Sequence, residues 1–442
     1  MSISVTVDVD VDVDVLVIGA GVGGVSAAAN LAHHGRRVLL VEAADRIGGR
    51  ASSREVDGFI LNTGALAIER DGPVADLYGK LGLHLDLDVP RPETVALCGR
   101  YTINAVTGPA GLVRTVAPAL LRALSRAVPA LRPRPGQSTA DWLRGFTRNS
   151  AVHGLVDNVC GSFFAATGDD LPADVFLHYT SEGSAFKKLG FAPGGTIEVW
   201  KPLADYVTSH NGEVWLDSPV TKILVDETGR ARGALVRHDG ETVRVRADAV
   251  VSNVGPAHTV RLAGPVSFPP GYAETVSREA DCGSILTVHF ASPTPLVSWP
   301  AIGLPGRSRR MIYAVNANAP AQRRVLKPGW HLYSAAGTPR PTRGPFDVEH
   351  EKALLLDDVR DYFPGFDAHA TVLAWDVNDW NNPAQRAITG FDLPNETPVP
   401  NLWNVGDGVK PWGDAGTAAC VRSADIVVTR ILEQIPQGAG TR

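Results

Sequence analysis

Three glycines near the start of the chain stand at a fixed spacing between an apolar run and a stretch of small residues. Gly19, Gly21 and Gly24 form a G-x-G-x-x-G pattern after the apolar residues 15–18 and before the helix-like stretch 25–34. In such a turn the first glycine permits the tight bend, the second lets a pyrophosphate approach the backbone, and the third lets helix and strand pack closely. The pattern therefore predicts a strand, a phosphate-binding turn and a helix.

The residues around these glycines strengthen that prediction. The first helical N–H groups, at Val22 and Gly23, and the positive end of the helix dipole would face the phosphates. A second apolar run, 38–41, ends at Glu42, which follows Gly24 by 18 residues. Near that spacing an acidic residue accepts hydrogen bonds from a ribose 2′-hydroxyl and would repel a 2′-phosphate. The combination predicts an ADP-containing dinucleotide; the alternative is a glycine-rich turn that binds nothing.

The segment after Glu42 favours flavin over nicotinamide. Residues 46–50 read Arg-Ile-Gly-Gly-Arg, and residues 58–66 read Gly-Phe-Ile-Leu-Asn-Thr-Gly-Ala-Leu. These segments resemble the FAD-dependent superfamily of amine oxidases, phytoene desaturases and protoporphyrinogen oxidases, whose members carry R-x-G-G-R after the ribose-binding acid. The resemblance implies cofactor contacts at Ala43, Arg46, Gly49, Arg50, Thr63, Gly64, Ala65 and Leu66. The two arginines would bring positive charge to pyrophosphate or flavin; the alternative for them is a solvated turn.

Later segments extend the resemblance. In the superfamily a valine backbone meets the adenine ring, a strand end approaches the cofactor, and the aspartate of a Gly-Asp pair bonds the ribityl chain. The last helix points its N-terminus at the N1/C2 carbonyl edge of the flavin, where its dipole stabilises developing negative charge. The residues that inherit these roles by resemblance are Val220, Asn253, Gly406, Asp407, Gly416, Thr417 and Ala418.

The resemblance and the predicted elements imply an α/β fold. A Rossmann-like FAD-binding domain of the glutathione-reductase type is expected to interleave with an α+β substrate domain of mixed sheet and helices. The expected FAD-binding parts are 1–95, 191–262 and 395–442, and the substrate-binding parts are 96–190 and 263–394. Residues before Asp14, although they alternate valine with aspartate, are expected to form a frayed or weakly ordered tail. Ser138 and Asp141 predict a helix-capping box.

Composition narrows the function classes. The chain has 442 residues and a net charge of −5, which gives no general reason to expect nucleic-acid binding. Its four cysteines are far apart and show no C-x-x-C spacing, so we expect neither a metal site nor a disulfide framework, and the cytoplasm is the expected location. No apolar run reaches the length of a transmembrane helix.

A basic amphipathic segment leaves two interpretations open. Residues 94–140 lack acidic side chains, and within 109–134 apolar residues recur every four positions while arginines lie on another face. Such a surface could cap a substrate pocket or make peripheral contact with an anionic membrane, so a membrane-associated form is also considered.

The predicted activity is that of an FAD-dependent dehydrogenase, oxidase or desaturase. It would remove hydride from a C–H bond of a largely apolar organic or amine substrate, in the manner of phytoene desaturases. No second glycine-rich nucleotide turn is present, so electrons would leave to dioxygen or a quinone.

Cys420 falls inside the last helix, so the FAD is expected to be non-covalent. Candidate substrate-facing residues are Trp412, Phe186 and Asp414, the last as a base or an amine-orienting group or, alternatively, a structural turn acid. An isomerase or saturase, and a non-enzymatic binding protein like the Rab GDP dissociation inhibitors, are the alternatives.

Overall fold

The computed structural model describes residues 9–98, 101–104, 120, 122–123, 127–181, 188–279, 282–317 and 327–435. Its strands are β1 Val9–Ile18, β2 Val38–Val41, β3 Ala51–Val56, β4 Phe59–Gly64, β5 Ile68–Glu69, β6 Thr94–Cys98, β7 Tyr101–Asn104, β8 Leu189–Gly190, β9 Glu213–Trp215, β10 Val220–Val225, β11 Ala231–His238, β12 Glu241–Ser252, β13 Ile285–Ser292, β14 Ala301–Pro305, β15 Met311–Asn316, β16 His331–Gly337, β17 Thr371–Asn378 and β18 Leu402–Asn404.

The α-helices of the described residues are α1 Val22–His33, α2 Pro73–Lys80, α3 Thr139–Arg144, α4 Ser150–Phe164, α5 Ala173–Ser181, α6 Lys201–Ser209, α7 Pro256–Ala263, α8 Tyr272–Glu279, α9 Val348–Tyr362, α10 Phe366–His369 and α11 Gly416–Gln434. Short 3₁₀ turns occur at Pro129–Leu131, Thr196–Val199 and Pro265–Ser267. The predicted cap of α3 is confirmed, because the Ser138 hydroxyl accepts the Asp141 backbone N–H at 3.1 Å. None of the helices in the described ranges combines the length and apolar character needed to cross a membrane.

The first sheet has the strand order β10-β11-β12-β1-β2-β9, with β18 joining the far end of β12. Strands β1, β2, β9, β18 and the end of β12 run parallel, which explains why residues 15–18 are apolar without alternation. Alternate side chains of that run enter different cores. Val15 and Val17 pack with α1, α6 and α11, whereas Leu16 and Ile18 pack with α7 and α8.

The expectation of a frayed tail before Asp14 was wrong from residue 9 onward. Strand β1 begins at Val9, which lies opposite Val243, and pairing continues along β12. Asp10 forms an ion pair with Arg246 of that partner strand. The alternation of valine and aspartate has the period of two that a strand requires. The arginines that pair with these aspartates lie far away in sequence, on β12.

The second sheet is mixed and has the order β17-β13-β16-β15-β14-β6-β7. Strands β14 and β6 are parallel, and the other neighbours are antiparallel. Helix α9 covers one face through Leu355 and Val359, which pack with Phe290 and Tyr333. The β3–β4 hairpin, the β5–β8 pair and the segment 379–401 connect the two sheets around the cavity described next.

Candidate active site

A cavity of about 1040 Å³ runs between the first and second sheets. One end is formed by residues 19–23 after β1 and by the residues that follow β2 and β12. The carboxyl ends of parallel strands at a crossover point form the usual ligand crevice of an open α/β sheet. The other end is lined by α4, α5, β14 and β15. The cavity therefore joins a nucleotide-type crevice to a compartment under the second sheet.

The glycines of residues 19–24, the glycine turn, have the geometry of a tight bend with close packing of helix against strand. Gly19 has a φ of +91°, and a Cβ on Gly24 would stand 1.9 Å from the Gly19 carbonyl oxygen. A Cβ on Gly23 would meet the Gly406 backbone at 2.9 Å. Helix α1 begins after Gly21 with no side-chain cap and no acid in its first turn. Its first N–H groups thus lack intrahelical acceptors at the cavity wall.

Asn253 ties the glycine turn to the end of β18. With its amide oxygen turned toward the turn, it accepts the Gly21 N–H at 3.2 Å and the Gly24 N–H at 3.3 Å. Its amide nitrogen donates to the Val405 carbonyl at 3.2 Å. Asn253 lines the cavity, as predicted, but its polar atoms hold the turn rather than point away from it.

Glu42 stands at the end of β2 and faces the same crevice. One carboxylate oxygen accepts the Ala20 N–H at 2.7 Å and the other accepts the Ala44 N–H at 3.0 Å. These bonds fix the carboxylate and leave lone pairs for a further donor. Ala43, Pro219 and Val220 also line the cavity.

The R-x-G-G-R segment closes over the glycine turn, but its two arginines differ. Gly48 donates to the Ala20 carbonyl at 2.8 Å, and Gly49 lines the cavity. The Arg50 guanidinium makes two bonds to the Asp407 carboxylate, at 2.6 and 2.9 Å, and donates to two main-chain carbonyls, those of Pro383 and Ala384. Burial would raise the pKa of Asp407, but the Arg50 charge and hydrogen bonds hold that pKa well below its usual range.

The contacts of Arg46 differ from those of Arg50. Its side chain is 41% exposed, its guanidinium pairs with Asp45 at 3.0 Å, and it is not part of the cavity wall. Because Arg50 is engaged with Asp407, the positive charge predicted for this segment is partly neutralised within the protein. The Arg46 Nε is nevertheless buried without a hydrogen-bond partner among the described residues, so this side chain is only partly solvated.

The start of α11 forms a further wall. Gly416 and Thr417 line the cavity, and the helix begins after Ala415 with no side-chain cap and no acid in its first turn. Gly64, Ala65 and Leu66 line the opposite wall. Three predicted contacts lie behind the wall instead: Gly24, Thr63 and Ala418. Gly24 and Ala418 are packing residues, with Ala418 3% exposed.

The compartment under the second sheet is mainly apolar. Its lining includes Phe163, Tyr179, Ile285, Ile302, Leu304 and Val315. The Tyr313 phenol has no hydrogen-bond partner within the described part of the chain, and burial raises the pKa of Tyr313 to about 12. Charged residues stand at the rim, where Arg70 pairs with Glu93 at 2.8 Å.

The contacts of Asp414 favour the turn-acid alternative over the predicted catalytic role. Its carboxylate accepts two bonds from Arg422, at 2.8 and 3.0 Å, and it stands outside the cavity wall. Trp412 is also outside the wall; it is 51% exposed and its ring lies 4.9 Å from His178. The acid before α11 is therefore a turn acid paired with the helix. Phe186, and most of 109–134, lie outside the described residues.

The sequence motifs do not identify several polar residues of the wall, among them Arg386 and Tyr313. Tyr313 lies in the apolar run MIYAVN of β15, which has no alternation to show which side of the strand faces the cavity. Arg386 lies in a segment without regular structure, and only the fold brings it to the crevice.

Comparison with known proteins agrees with this geometry. The profile of flavin-containing amine oxidoreductases matches residues 22–432. The chain belongs to this family. It is accordingly a flavoprotein and an FAD-dependent oxidoreductase that acts on a small molecule. The resemblance drawn from R-x-G-G-R and the Gly-Asp pair is confirmed at the level of family and fold.

Similar sequences include both amine oxidases and desaturases. Putrescine oxidase from Kocuria rosea is 29% identical over an alignment of 318 positions, which covers 64% of each chain. The 15-cis-phytoene desaturase of Capsicum annuum is 25% identical over 261 residues, 50% of this chain and 43% of that one. An uncharacterised protein of Methanocaldococcus jannaschii is 23% identical over 89% of this chain and 92% of its own.

Solved structures share the fold. An oxidoreductase from Methanosarcina mazei matches with a TM-score of 0.79 and 23% identity, over 94% of this chain and 100% of that one. Putrescine oxidase bound to putrescine matches with a TM-score of 0.71 and 19% identity, over 96% of this chain and 100% of that one. At these identities the likeness concerns the fold alone.

Proposed function

We propose that the protein binds FAD non-covalently and removes hydride from a C–H bond of a largely apolar organic or amine substrate. The observation that carries this proposal is the continuity of one cavity from the glycine turn to the apolar compartment. A dinucleotide held at the first end would present its reactive ring toward the second. When bound, the flavin would supply the hydride acceptor.

The residues present fit the parts of FAD. Glu42 offers fixed carboxylate oxygens for a ribose hydroxyl, and the start of α1 offers the N–H groups of Val22 and Gly23, which Asn253 does not occupy, for phosphate oxygens. Asp407 would meet the ribityl chain with the lone pairs that Arg50 leaves free. The uncapped start of α11 at Thr417 would stabilise negative charge on the pyrimidine side of the ring.

Cys420 supports a non-covalent attachment. Among the described residues it is the cysteine that lines the cavity, and its thiol donates to the Gly416 carbonyl at 3.5 Å. Burial and the nearby Asp407 raise the pKa of Cys420 to about 12. The thiol is therefore protonated near neutral pH, which makes it a poor nucleophile toward the cofactor.

The apolar compartment would bind the hydrocarbon part of the substrate and exclude water from the reacting carbon. The Tyr313 hydroxyl could donate to, or accept from, a polar group of that substrate. Dioxygen or a quinone would reoxidise the enzyme. Isomerase and saturase activities, which the desaturase resemblance also allows, would use the same binding groups; the cytoplasmic location remains a prediction.

We also propose the division into an FAD-binding and a substrate-binding domain. The two sheets support it, with one refinement at residue 262. Helices α7 and α8 pack against the first sheet through Val260 and Val276, so the FAD-binding part would extend to about the end of α8. Strand β6 starts at Thr94 and belongs to the second sheet.

Anaerobic substrate screening tests the proposed reaction. Linear alkylamines of increasing length and apolar polyenes would each be mixed with the purified protein, and loss of the flavin's visible absorbance would be followed. We expect bleaching by members of one series, with longer hydrocarbon chains more effective because they fill the compartment. Ile302→Trp, which obstructs the compartment, should abolish bleaching, whereas Val266→Trp, at a position that is 96% exposed, should not. Equal bleaching in both variants would contradict the assigned substrate compartment.

A further inference from the structure

Arg386 occupies a corner of the cavity that no motif assigns. Its side chain passes directly over Gly255, where an added Cβ would stand 2.5 Å from Arg386 Cδ and 3.0 Å from Nε. The same side chain lies against Gly408, beyond the Gly-Asp pair. Gly255 has a φ of +90° and precedes α7, so a larger residue there would be both strained and obstructed. The backbone therefore leaves a channel for this arginine.

The charges around Arg386 leave a positive excess. The nearby carboxylate, Asp407, already makes two bonds to Arg50 and accepts only the backbone N–H of Arg386, at 2.8 Å. No ion pair joins the Arg386 guanidinium to a carboxylate of the described residues, and its Nε has neither exposed surface nor a hydrogen-bond partner. Burial and the Arg50 charge lower the pKa of Arg386 to about 10, while Asp407 opposes that shift.

The neighbouring helix adds to this excess. Helix α7 begins after Gly255 without a side-chain cap and without an acid in its first turn. A guanidinium beside the positive end of a helix is unfavourable unless an anion accompanies it. His258 in that first turn also faces the cavity, and burial with the charges of Arg261 and Arg386 lowers its pKa. His258 is therefore neutral near neutral pH, and Asp407 is the carboxylate of the described residues that offsets the Arg386 charge at this corner.

The position of the corner indicates which anion. Asn253, two residues before Gly255, holds the N–H groups of the glycine turn. Asn253 lies against Gly406, and the Arg386 backbone N–H donates to Asp407, the next residue, at 2.8 Å. The corner is therefore an extension of the crevice in which a dinucleotide phosphate would lie.

We propose that Arg386, seated on Gly255, is a phosphate-binding residue of this protein that contacts the pyrophosphate of FAD. It would add to the positive charge of R-x-G-G-R, since Arg46 pairs with Asp45 outside the cavity wall and Arg50 is paired with Asp407. This inference rests on the proposed binding of FAD. A charge-assisted hydrogen bond to phosphate corresponds to a roughly ten- to hundredfold change in affinity.

The test compares FAD release from the wild-type holoprotein and from Arg386→Met, Arg386→Lys and Arg261→Met. Arg261 is an exposed arginine of α7 outside the cavity wall, which makes it the matched control. Each holoprotein is diluted stepwise and the recovery of free-flavin fluorescence gives the dissociation constant. We expect Arg386→Met to weaken FAD binding at least tenfold, Arg386→Lys to restore part of the loss, and Arg261→Met to match the wild type.

Competition by fragments locates the effect on the molecule. ADP and adenosine would each be titrated against FAD in the wild type and in Arg386→Lys, the variant that keeps the charge and is the safer one for folding. Circular dichroism checks that each variant is folded. We expect weakened binding of ADP and unchanged binding of adenosine. Unchanged FAD affinity in Arg386→Met together with unchanged ADP affinity in Arg386→Lys, or an equal loss for adenosine in Arg386→Lys, would overturn the assignment. A wild-type protein that binds no FAD would instead refute the proposed function itself.

Discussion

Removal of Arg50 should destabilise the protein more than removal of its partner Asp407. Arg50 makes two bonds to the Asp407 carboxylate and also donates to the carbonyls of Pro383 and Ala384. Arg50→Met therefore leaves a buried carboxylate and two carbonyls without their donor. Asp407→Asn keeps an acceptor for Arg50 and leaves the carbonyl bonds intact.

The expected magnitudes follow from burial. Breaking a buried ion pair by removing one partner costs roughly 3–5 kcal/mol. The Arg50 and Asp407 side chains are 27% and 13% exposed, so the lower end applies and we expect about 3 kcal/mol for Arg50→Met. Asp407→Asn should cost about 1–2 kcal/mol, because a neutral hydrogen bond remains. The free energy of unfolding lost in the Arg50→Met/Asp407→Asn double variant should be about 1–2 kcal/mol smaller than the sum of the losses in the two single variants.

Urea unfolding of the flavin-free proteins, followed by circular dichroism, measures these differences. The four proteins of the cycle are compared at neutral pH, where Asp407 is ionised. Costs that are equal for the two single variants and additive to within about 0.5 kcal/mol in the double variant would refute the reasoning. The R-x-G-G-R arginine would then act independently of the Gly-Asp pair.

Three further predictions concern single positions. Gly24→Ala should destabilise the protein by about 2–3 kcal/mol and abolish FAD retention, because its Cβ would stand 1.9 Å from the Gly19 carbonyl oxygen. The control Gly79→Ala in α2 places a Cβ that meets nothing within 4 Å and should stabilise the protein by about 0.5–1 kcal/mol. Similar thermal unfolding of the two variants would contradict this prediction. Asp414→Asn should leave turnover unchanged and cost less than about 1 kcal/mol, because its partner Arg422 is 47% exposed; a tenfold or greater fall in turnover would restore its catalytic role. Burial raises the pKa of Tyr313 from 10.0 to about 12. The contribution of the neutral phenol to the free energy of unfolding is therefore complete below the pKa of the unfolded state, and it is lost as the pH rises toward the pKa of the folded state. Wild type should therefore lose about 1 kcal/mol more than Tyr313→Phe between about pH 9 and pH 11, and parallel urea titrations of the two proteins would contradict that result.

The parts of the fold that the sequence predicts are those whose cause is local. The glycine turn, the R-x-G-G-R segment and the start of α11 each depend on a few adjacent residues, because a tight bend or an uncapped helix start has a short-range signature. The strand at residues 9–13 was missed, since its aspartates are satisfied by arginines of β12 more than 200 residues away.

The site shows the same limit. Glu42 and Asn253 follow from their places at strand ends, but the engagement of Asn253 with the glycine turn requires two strands to be adjacent. Arg50 was correctly placed near the cavity, yet its pairing with Asp407 joins residues that are distant in sequence. Arg386 could not be predicted from the sequence, because it lies in a segment without helical or strand periodicity. Only the folded chain shows that it lies at the cavity wall.

The absorbance spectrum of the purified protein, taken before and after denaturation, tests whether FAD is bound and whether it is bound non-covalently. We expect a flavin spectrum in the native sample and complete release of FAD into the supernatant, with the polypeptide mass equal to that of the sequence. A colourless protein that also fails to take up added FAD would contradict the proposed cofactor site, and flavin that stays attached to the denatured chain would contradict non-covalent binding.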